Sequence, residues 1–180
     1  MVQSQSRVTK VAFFASFLAL IFSAAAPQAQ AQPCLSVAAV TCTPAATDVQ
    51  GNRLVQAISG VRHSTNATGS ISLFCPVFNN FDGGSNAPFN ILFVRYADPN
   101  GPVTTGSVQA QLRFVEPGGA VATKATFNSN SFPSTLGAER SAPISPGFNF
   151  RSNGYVLQVT IFRSSTATAP VFRSFSVCRV

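Results

Sequence analysis

The chain has 180 residues, of which 12 are lysine or arginine and five are aspartate or glutamate, so its formal net charge is +7. Apolar residues make up 46% of the sequence, a share that excludes an intrinsically disordered chain. The basic residues form no cluster with interleaved aromatic residues, which argues against nucleic-acid binding.

The first 31 residues have the pattern of a cleavable signal peptide. Arg7 and Lys10 make a positive start, residues 11–26 are apolar or small, and residues 29–31 read Ala-Gln-Ala, which fits the cleavage rule. The apolar stretch is shorter than the ~20 residues that a bilayer-spanning helix needs, so a retained membrane anchor is the weaker alternative. We predict cleavage after Ala31, a secreted or periplasmic location, and no membrane span in the mature chain.

After the cleavage site, the sequence predicts an irregular lead-in over residues 32–49 and one β domain over residues 50–180. No segment has a persuasive helical pattern, although residues 50–58 fit either a strand or one helical turn. The turns are marked by glycine and proline, as in Asp-Pro-Asn-Gly at residues 98–101 and Glu-Pro-Gly-Gly at residues 116–119. The predicted strands cover residues 70–77, 88–97, 107–115, 120–127, 155–163 and 170–178.

The clearest alternation lies in residues 107–115, where Gln109, Gln111 and Arg113 face outward and the intervening apolar side chains face inward. Short strands with regular turns predict an all-β fold, a single antiparallel β-sandwich of the jelly-roll or immunoglobulin-like kind. The predicted core includes Ile71, Leu73, Leu112, Phe114, Leu157 and Val159.

The four cysteines all lie after the signal peptide, which predicts two disulfide bonds with three connectivities to choose from. No pair has the C-x-x-C spacing, and His63 is the one histidine of the sequence. A zinc site is therefore poorly supported. The bonded residues are Cys34, Cys42, Cys75 and Cys178.

Three short segments stand out: Thr-Cys-Thr-Pro-Ala at residues 41–45, Gly-Val-Arg-His-Ser at 60–64 and Phe-Cys-Pro-Val at 74–77. With these segments the chain resembles a loose group of small secreted bacterial proteins of uncharacterised function. The resemblance implies a β-sandwich with Cys42 bonded to Cys75, and it carries no known activity. Ala110 stands where that group often has a further cysteine, which leaves Cys34 and Cys178 as the second pair.

Side-chain parity favours the same pairing. Cys75 lies at the parity of the apolar residues in its strand, whereas Cys178 lies opposite Phe175 and Val177 in its own. Two cysteines on opposite sides of their sheets bond only if a bulge intervenes. We therefore expect Cys42–Cys75 inside the core and Cys34–Cys178 joining the two ends of the domain.

Candidate catalytic groups are few. His63 is the one imidazole that could serve a hydrolase as base, but it lies in a polar segment and the sequence has no G-x-S-x-G motif. A glycosidase needs two facing carboxylates, and three of the five acids lie at predicted turns. We expect no cofactor and no metal site, including at residues 80–86, whose oxygens are too few for a dedicated calcium loop. The acids are Asp48, Asp82, Asp98, Glu116 and Glu139.

The arginines offer the best binding hypothesis. Arg95, Arg113, Arg163 and Arg173 lie within or at the ends of predicted strands, and convergence of several would make an anion-binding face. The competing interpretation is that single charges in apolar strands prevent edge pairing. Sugar binding by stacking is poorly supported, because tryptophan is absent and tyrosine occurs twice.

Together these features predict an exported, non-enzymatic β-sandwich with a binding or structural role at the cell envelope or outside the cell. The sequence identifies no particular ligand or partner, and the class it allows is an anionic polymer or glycan. The alternatives are a secreted hydrolase that uses His63 as base and an arginine-faced module that binds anionic polymers or glycans.

Overall fold

The computed structural model describes residues 34–78 and 89–180. The predicted signal peptide over residues 1–31 and its cleavage site after Ala31 lie outside the described residues. Among the residues described, no helix has the length and apolar character that a membrane span requires.

Eleven strands make up most of the described chain, together with the five-residue helix α1 (Ala46–Gln50) and two single 3₁₀ turns. The strands are β1 (Cys34–Ala38), β2 (Thr43–Pro44), β3 (Leu54–Ala57), β4 (Gly60–His63), β5 (Gly69–Val77), β6 (Ile91–Asp98), β7 (Gly106–Val115), β8 (Val121–Asn128), β9 (Thr135–Pro143), β10 (Gly154–Arg163) and β11 (Val171–Cys178).

The strands form two antiparallel sheets that enclose one core. Sheet I has the order β3-β4-β11-β6-β9. Strand β4 pairs with the first residues of β11, and β1 pairs with residues 174–178 further along β11. Sheet II has the order β2-β5-β10-β7-β8. The predicted antiparallel β-sandwich is therefore confirmed.

The core lies between the sheets and is built from rows of inward side chains in register. Leu157 of β10 stands between Cys75 of β5 and Leu112 of β7, and all three are fully buried. Because side chains alternate along a strand, each such row fixes an outward row beside it. Of the predicted core residues, Phe114 alone is half-buried and packs at the margin, whereas the others are fully buried.

The structure differs from the sequence interpretation in several segments, including the unpredicted α1 and β4. Residues 34–49, expected to be an irregular lead-in, contribute β1 to sheet I and β2 to sheet II, so strand pairing begins at Cys34. The sequence analysis also did not predict β9, whose residues have mixed polarity and little burial because it is an edge strand. Edge strands lack the apolar alternation that makes a central strand recognisable.

Two disulfide bonds join Cys34 to Cys178 and Cys42 to Cys75, the pairing that parity favoured. Cys34 and Cys178 are direct cross-strand partners at the ends of β1 and β11, and Cys34 is exposed. Cys42 and Cys75 lie in the core, with 2% and 0% of their surface exposed.

This difference in burial predicts the order of reduction. Mild thiol should open Cys34–Cys178 first, because the attacking thiolate must reach a sulfur atom and the core bond is shielded. Stepwise reduction, alkylation of the freed thiols and peptide mass spectrometry would measure the order. A Cys34→Ser/Cys178→Ser variant should still fold with the core bond intact. Prior or simultaneous opening of Cys42–Cys75 would contradict the expectation.

Candidate functional site

The outer face of sheet II carries rows of outward side chains, most of them neutral and polar. We call this surface the amide face. Its middle row crosses four strands in register, from Phe74 of β5 through Gln158 of β10 and Gln111 of β7 to Thr126 of β8. The row on one side consists of Ser72, Thr160, Gln109 and Asn128, and the row on the other of Pro76, Val156, Arg113 and Thr123.

Arg113 is the one charged side chain within these three rows. It donates a hydrogen bond from Nη1 to Oε1 of Gln158 at 2.7 Å, which fixes the orientation of that amide. The amide nitrogen of Gln158 has no acceptor among the described residues and could donate to a ligand. The side chain of Gln111 has no hydrogen-bond partner among the described residues and is exposed.

The amide face also has an apolar end. Phe74 keeps 41% of its surface exposed although it stands within a sheet, beside a polar row. An exposed aromatic ring next to free amides is a suitable surface for a ligand that has both apolar and hydroxyl groups. An ordinary solvent-facing sheet surface would instead carry interspersed charges of both signs.

The four predicted strand arginines do not converge on one surface. Arg95 of β6 and Arg173 of β11 line the same open groove, of about 500 Å³, on the outer face of sheet I. Arg113 lies on the opposite sheet, on the amide face. The anion-binding hypothesis is therefore reduced from four arginines to the pair on sheet I.

Arg163 has a structural role. It is 4% exposed, and its guanidinium donates to the carbonyl oxygens of Ser64, Thr65, Ala67 and Thr168 at distances of 2.5–3.2 Å. These contacts hold the loop between β4 and β5 against the end of β10. Its buried position follows from the alternation along β10, in which every second residue from Tyr155 to Arg163 faces inward.

His63 is buried between the sheets, with 4% of its surface exposed. Its Nε2 lies 3.0 Å from the carbonyl oxygen of Ile161, and its Nδ1 is buried without a hydrogen-bond partner among the described residues. In the described part of the chain, no serine or carboxylate bonds to the ring, so the hydrolase alternative lacks an assembled base and orienting acid.

The carboxylates that the structure describes are dispersed, and Asp48, Asp98 and Glu139 have structural partners. Asp48 is buried, accepts the amide hydrogen of Ser72 at 2.8 Å and lies 3.5 Å from a guanidinium nitrogen of Arg53. Asp98 is buried and accepts hydrogen bonds from the backbone N–H of Asn100, in the turn after β6, and from the hydroxyl of Ser129, in the turn after β8. Among the described residues no three histidine, cysteine or acidic side chains are grouped as metal ligands. Asp82 and the rest of residues 80–86 lie outside the described ranges.

Comparison with known proteins gives a fold likeness. No protein-family model and no curated protein matches the chain. A structure of the xylan-binding module CBM15 matches with a TM-score of 0.50 and 10% identity, covering 82% of this chain and 97% of that one. The likeness to this module agrees with the sandwich fold. At 10% identity it is a likeness of fold alone and carries no statement about ligand or function.

A second solved structure gives a weaker match. The CBM36-1 domain of a multidomain xylanase from the hindgut metagenome of Trinervitermes trinervoides has a TM-score of 0.47 and 13% identity, covering 81% of this chain and 96% of that domain.

The sequence placed Gln109, Gln111 and Arg113 on an outer face, but it assigned only Arg113 to a candidate site, the anion-binding face that the structure does not assemble. Gln158, Phe74 and the rows themselves were missed, because a row requires the register between strands distant in sequence. The available signal was the shortage of charge at the outward positions of β7 and β10.

The buried imidazole predicts a pH dependence of stability. Burial, with smaller effects from Arg163 and Arg53, lowers the pKa of His63 below its ordinary value of about 6.5, although the Ile161 carbonyl and Asp48 oppose the shift. The unfolded chain therefore binds this proton more readily than the folded chain. The stabilisation is complete above pH ~6.5 and is lost as the pH falls towards the lowered pKa.

Urea unfolding near neutral pH and at about pH 5 would measure this effect. The free energy of unfolding should fall between the two conditions, and a His63→Gln variant, which cannot take up a proton in this range, should show a smaller fall. Equal falls in the variant and the original protein would exclude His63 as the source.

Proposed function

We propose that this protein is a non-catalytic binding module whose amide face holds an extended, neutral polysaccharide. The observation that carries the proposal is the middle row, in which Phe74, Gln158, Gln111 and Thr126 stand side by side on four paired strands. Three interstrand intervals of about 4.8 Å make this row roughly 14 Å long, enough for several consecutive sugar units.

The chemistry of the row matches a sugar chain. A glutamine amide both donates and accepts hydrogen bonds, as a sugar hydroxyl does, and threonine hydroxyls add further donors and acceptors. The exposed ring of Phe74 offers an apolar surface to the C–H face of a sugar ring. The three rows contain one charge, so an uncharged polymer meets no unpaired carboxylate or ammonium group there.

A rigid support also favours binding. The polar side chains stand on paired strands rather than on loops, and the hydrogen bond from Arg113 holds Gln158 in one orientation before any ligand arrives. Preorganised groups lose less conformational entropy on binding than flexible ones. The fold likeness to a xylan-binding module is compatible with this proposal, although the argument rests on the rows themselves.

The proposal predicts a defined loss of binding from two substitutions. Gln111→Ala and Gln158→Ala should each weaken binding of a soluble neutral polysaccharide by about 2- to 10-fold, the range expected for one neutral hydrogen bond. Affinity electrophoresis in gels containing xylan, mixed-linkage β-glucan or hydroxyethyl cellulose would measure the retardation.

Gln50→Ala is the matched control, because Gln50 is exposed at the end of α1 and belongs to neither sheet. Its binding should equal that of the unaltered protein. Absence of retardation by every neutral polysaccharide, or equal retardation of all three variants, would refute the proposed ligand class.

We also propose that the protein acts after export, in the periplasm or outside the cell. Two disulfide bonds require an oxidising compartment, and the first 31 residues have the pattern of a signal peptide. Both amide face and groove would then be free to meet polymers of the cell envelope or the surroundings.

Cleavage after Ala31 predicts that the exported protein begins at Gln32. Mass spectrometry of the N-terminal peptide from periplasmic and culture fractions would identify the first residue and the compartment together. A protein recovered from membranes with residues 1–31 still attached would contradict both parts of the expectation.

A further inference from the structure

The groove on the outer face of sheet I differs in chemistry from the amide face and lies on the other side of the sandwich. We call it the arginine groove; it has a volume of about 500 Å³ and is lined chiefly by Arg95, Arg173, Ser36, Ser59, Ser174 and Ile58. Its floor is formed by β11 and β6, which are each paired on both sides.

A β-bulge places the second arginine in this groove. Phe172 and Phe175 are both fully buried, although regular alternation would send residues three apart to opposite faces. The register with β6 shifts between Phe172 and Ser174, so Arg173 is an extra residue in the strand. Consequently Arg173 and Ser174 both lie on the outer side, beside Arg95, and bulges commonly reorient side chains in this way.

The arginine groove has donors that remain free. Arg95 uses Nε for an ion pair with Glu139, and its two Nη groups make no hydrogen bond among the described residues. Arg173 uses one Nη to donate to the carbonyl oxygen of Leu136 at 3.2 Å, which leaves its charge without a balancing carboxylate. The hydroxyls of Ser59 and Ser174 likewise have no partner in the described part of the chain.

The charges in the groove are not balanced. Glu139 sits at the end of the row Ala38–Ser174–Arg95–Glu139 and offsets one guanidinium. No carboxylate lines the groove itself among the described residues. One net positive charge, together with several N–H and O–H donors, therefore faces a space large enough for a small ring.

We propose that the arginine groove binds the carboxylate of an acidic sugar, a hexuronate unit of a polysaccharide. Guanidinium groups bind carboxylates through charge-assisted hydrogen bonds, and the serine hydroxyls can exchange hydrogen bonds with the neighbouring sugar hydroxyls. A peptide is a poorer fit, because the backbone groups of β11 and β6 are already paired and cannot add a strand. This site is independent of the amide face and does not rest on the proposed neutral ligand.

The test uses the mature disulfide-bonded protein and a trimer of galacturonate, with titration calorimetry at low salt. Arg173→Gln should weaken binding by about 10-fold or more, as expected for loss of hydrogen bonds to a charged group. Arg151→Gln, which removes the same charge from an exposed loop outside the groove, should have little effect. A Glu139→Gln variant should bind several-fold more tightly, because it removes a carboxylate that competes for Arg95 and repels the ligand.

The gain from Glu139→Gln cannot arise from misfolding, so it is the decisive measurement. The proposal is overturned if the trimer does not bind, if Arg151→Gln costs as much as Arg173→Gln, or if Glu139→Gln leaves the affinity unchanged. Equal binding of a glutamate trimer with the same dependence on Arg173 would also overturn it, in favour of a peptide carboxylate. Gln111→Ala should not alter galacturonate binding. The proposal for the arginine groove is therefore tested separately from the proposal for the amide face.

Discussion

The alternation of side chains along β5, β10 and β7 is the constraint on which both the core and the amide face depend. Burial of Cys75, Leu157 and Leu112 in one row forces the residues just before or after them to the other side of the sheet. A slip of one residue in any of these strands would expose its core residues, and in β7 or β10 it would also bury glutamine side chains. The hydrophobic effect that holds the sandwich together therefore also fixes the arrangement of the amide face.

Departures from this alternation are equally informative. The bulge in β11 keeps Phe172 and Phe175 in the core and thereby adds Arg173 to the outer surface. The buried polar groups are a second departure, since Arg163 and His63 occupy inward positions. Arg163 is tolerated there because four carbonyl oxygens receive its hydrogen bonds, which offset the cost of removing a charge from water.

Parity within one strand could be read from the sequence, and pairing between strands could not. The pattern of β7 was sufficient to send Leu112 inward and Gln111 outward, and regular turns were sufficient for the fold class. The meeting of Gln111 with Gln158 depends on two strands more than 40 residues apart, for which the sequence has no local signal. The position of Arg95 and Arg173 in one groove was hidden for another reason, because the extra residue in β11 changes the parity of the residues beyond it.

The bond between the first and last strands gives the domain an unusual mechanical connection. Cys34 and Cys178 have Cα atoms 4.2 Å apart, so chain segments attached before β1 and after β11 would leave the sandwich side by side. Tension applied through those segments would pass across one covalent link and bypass the hydrogen-bonded sheets. Such a domain would retain the structure of both sheet surfaces under tension, for as long as its surroundings remain oxidising.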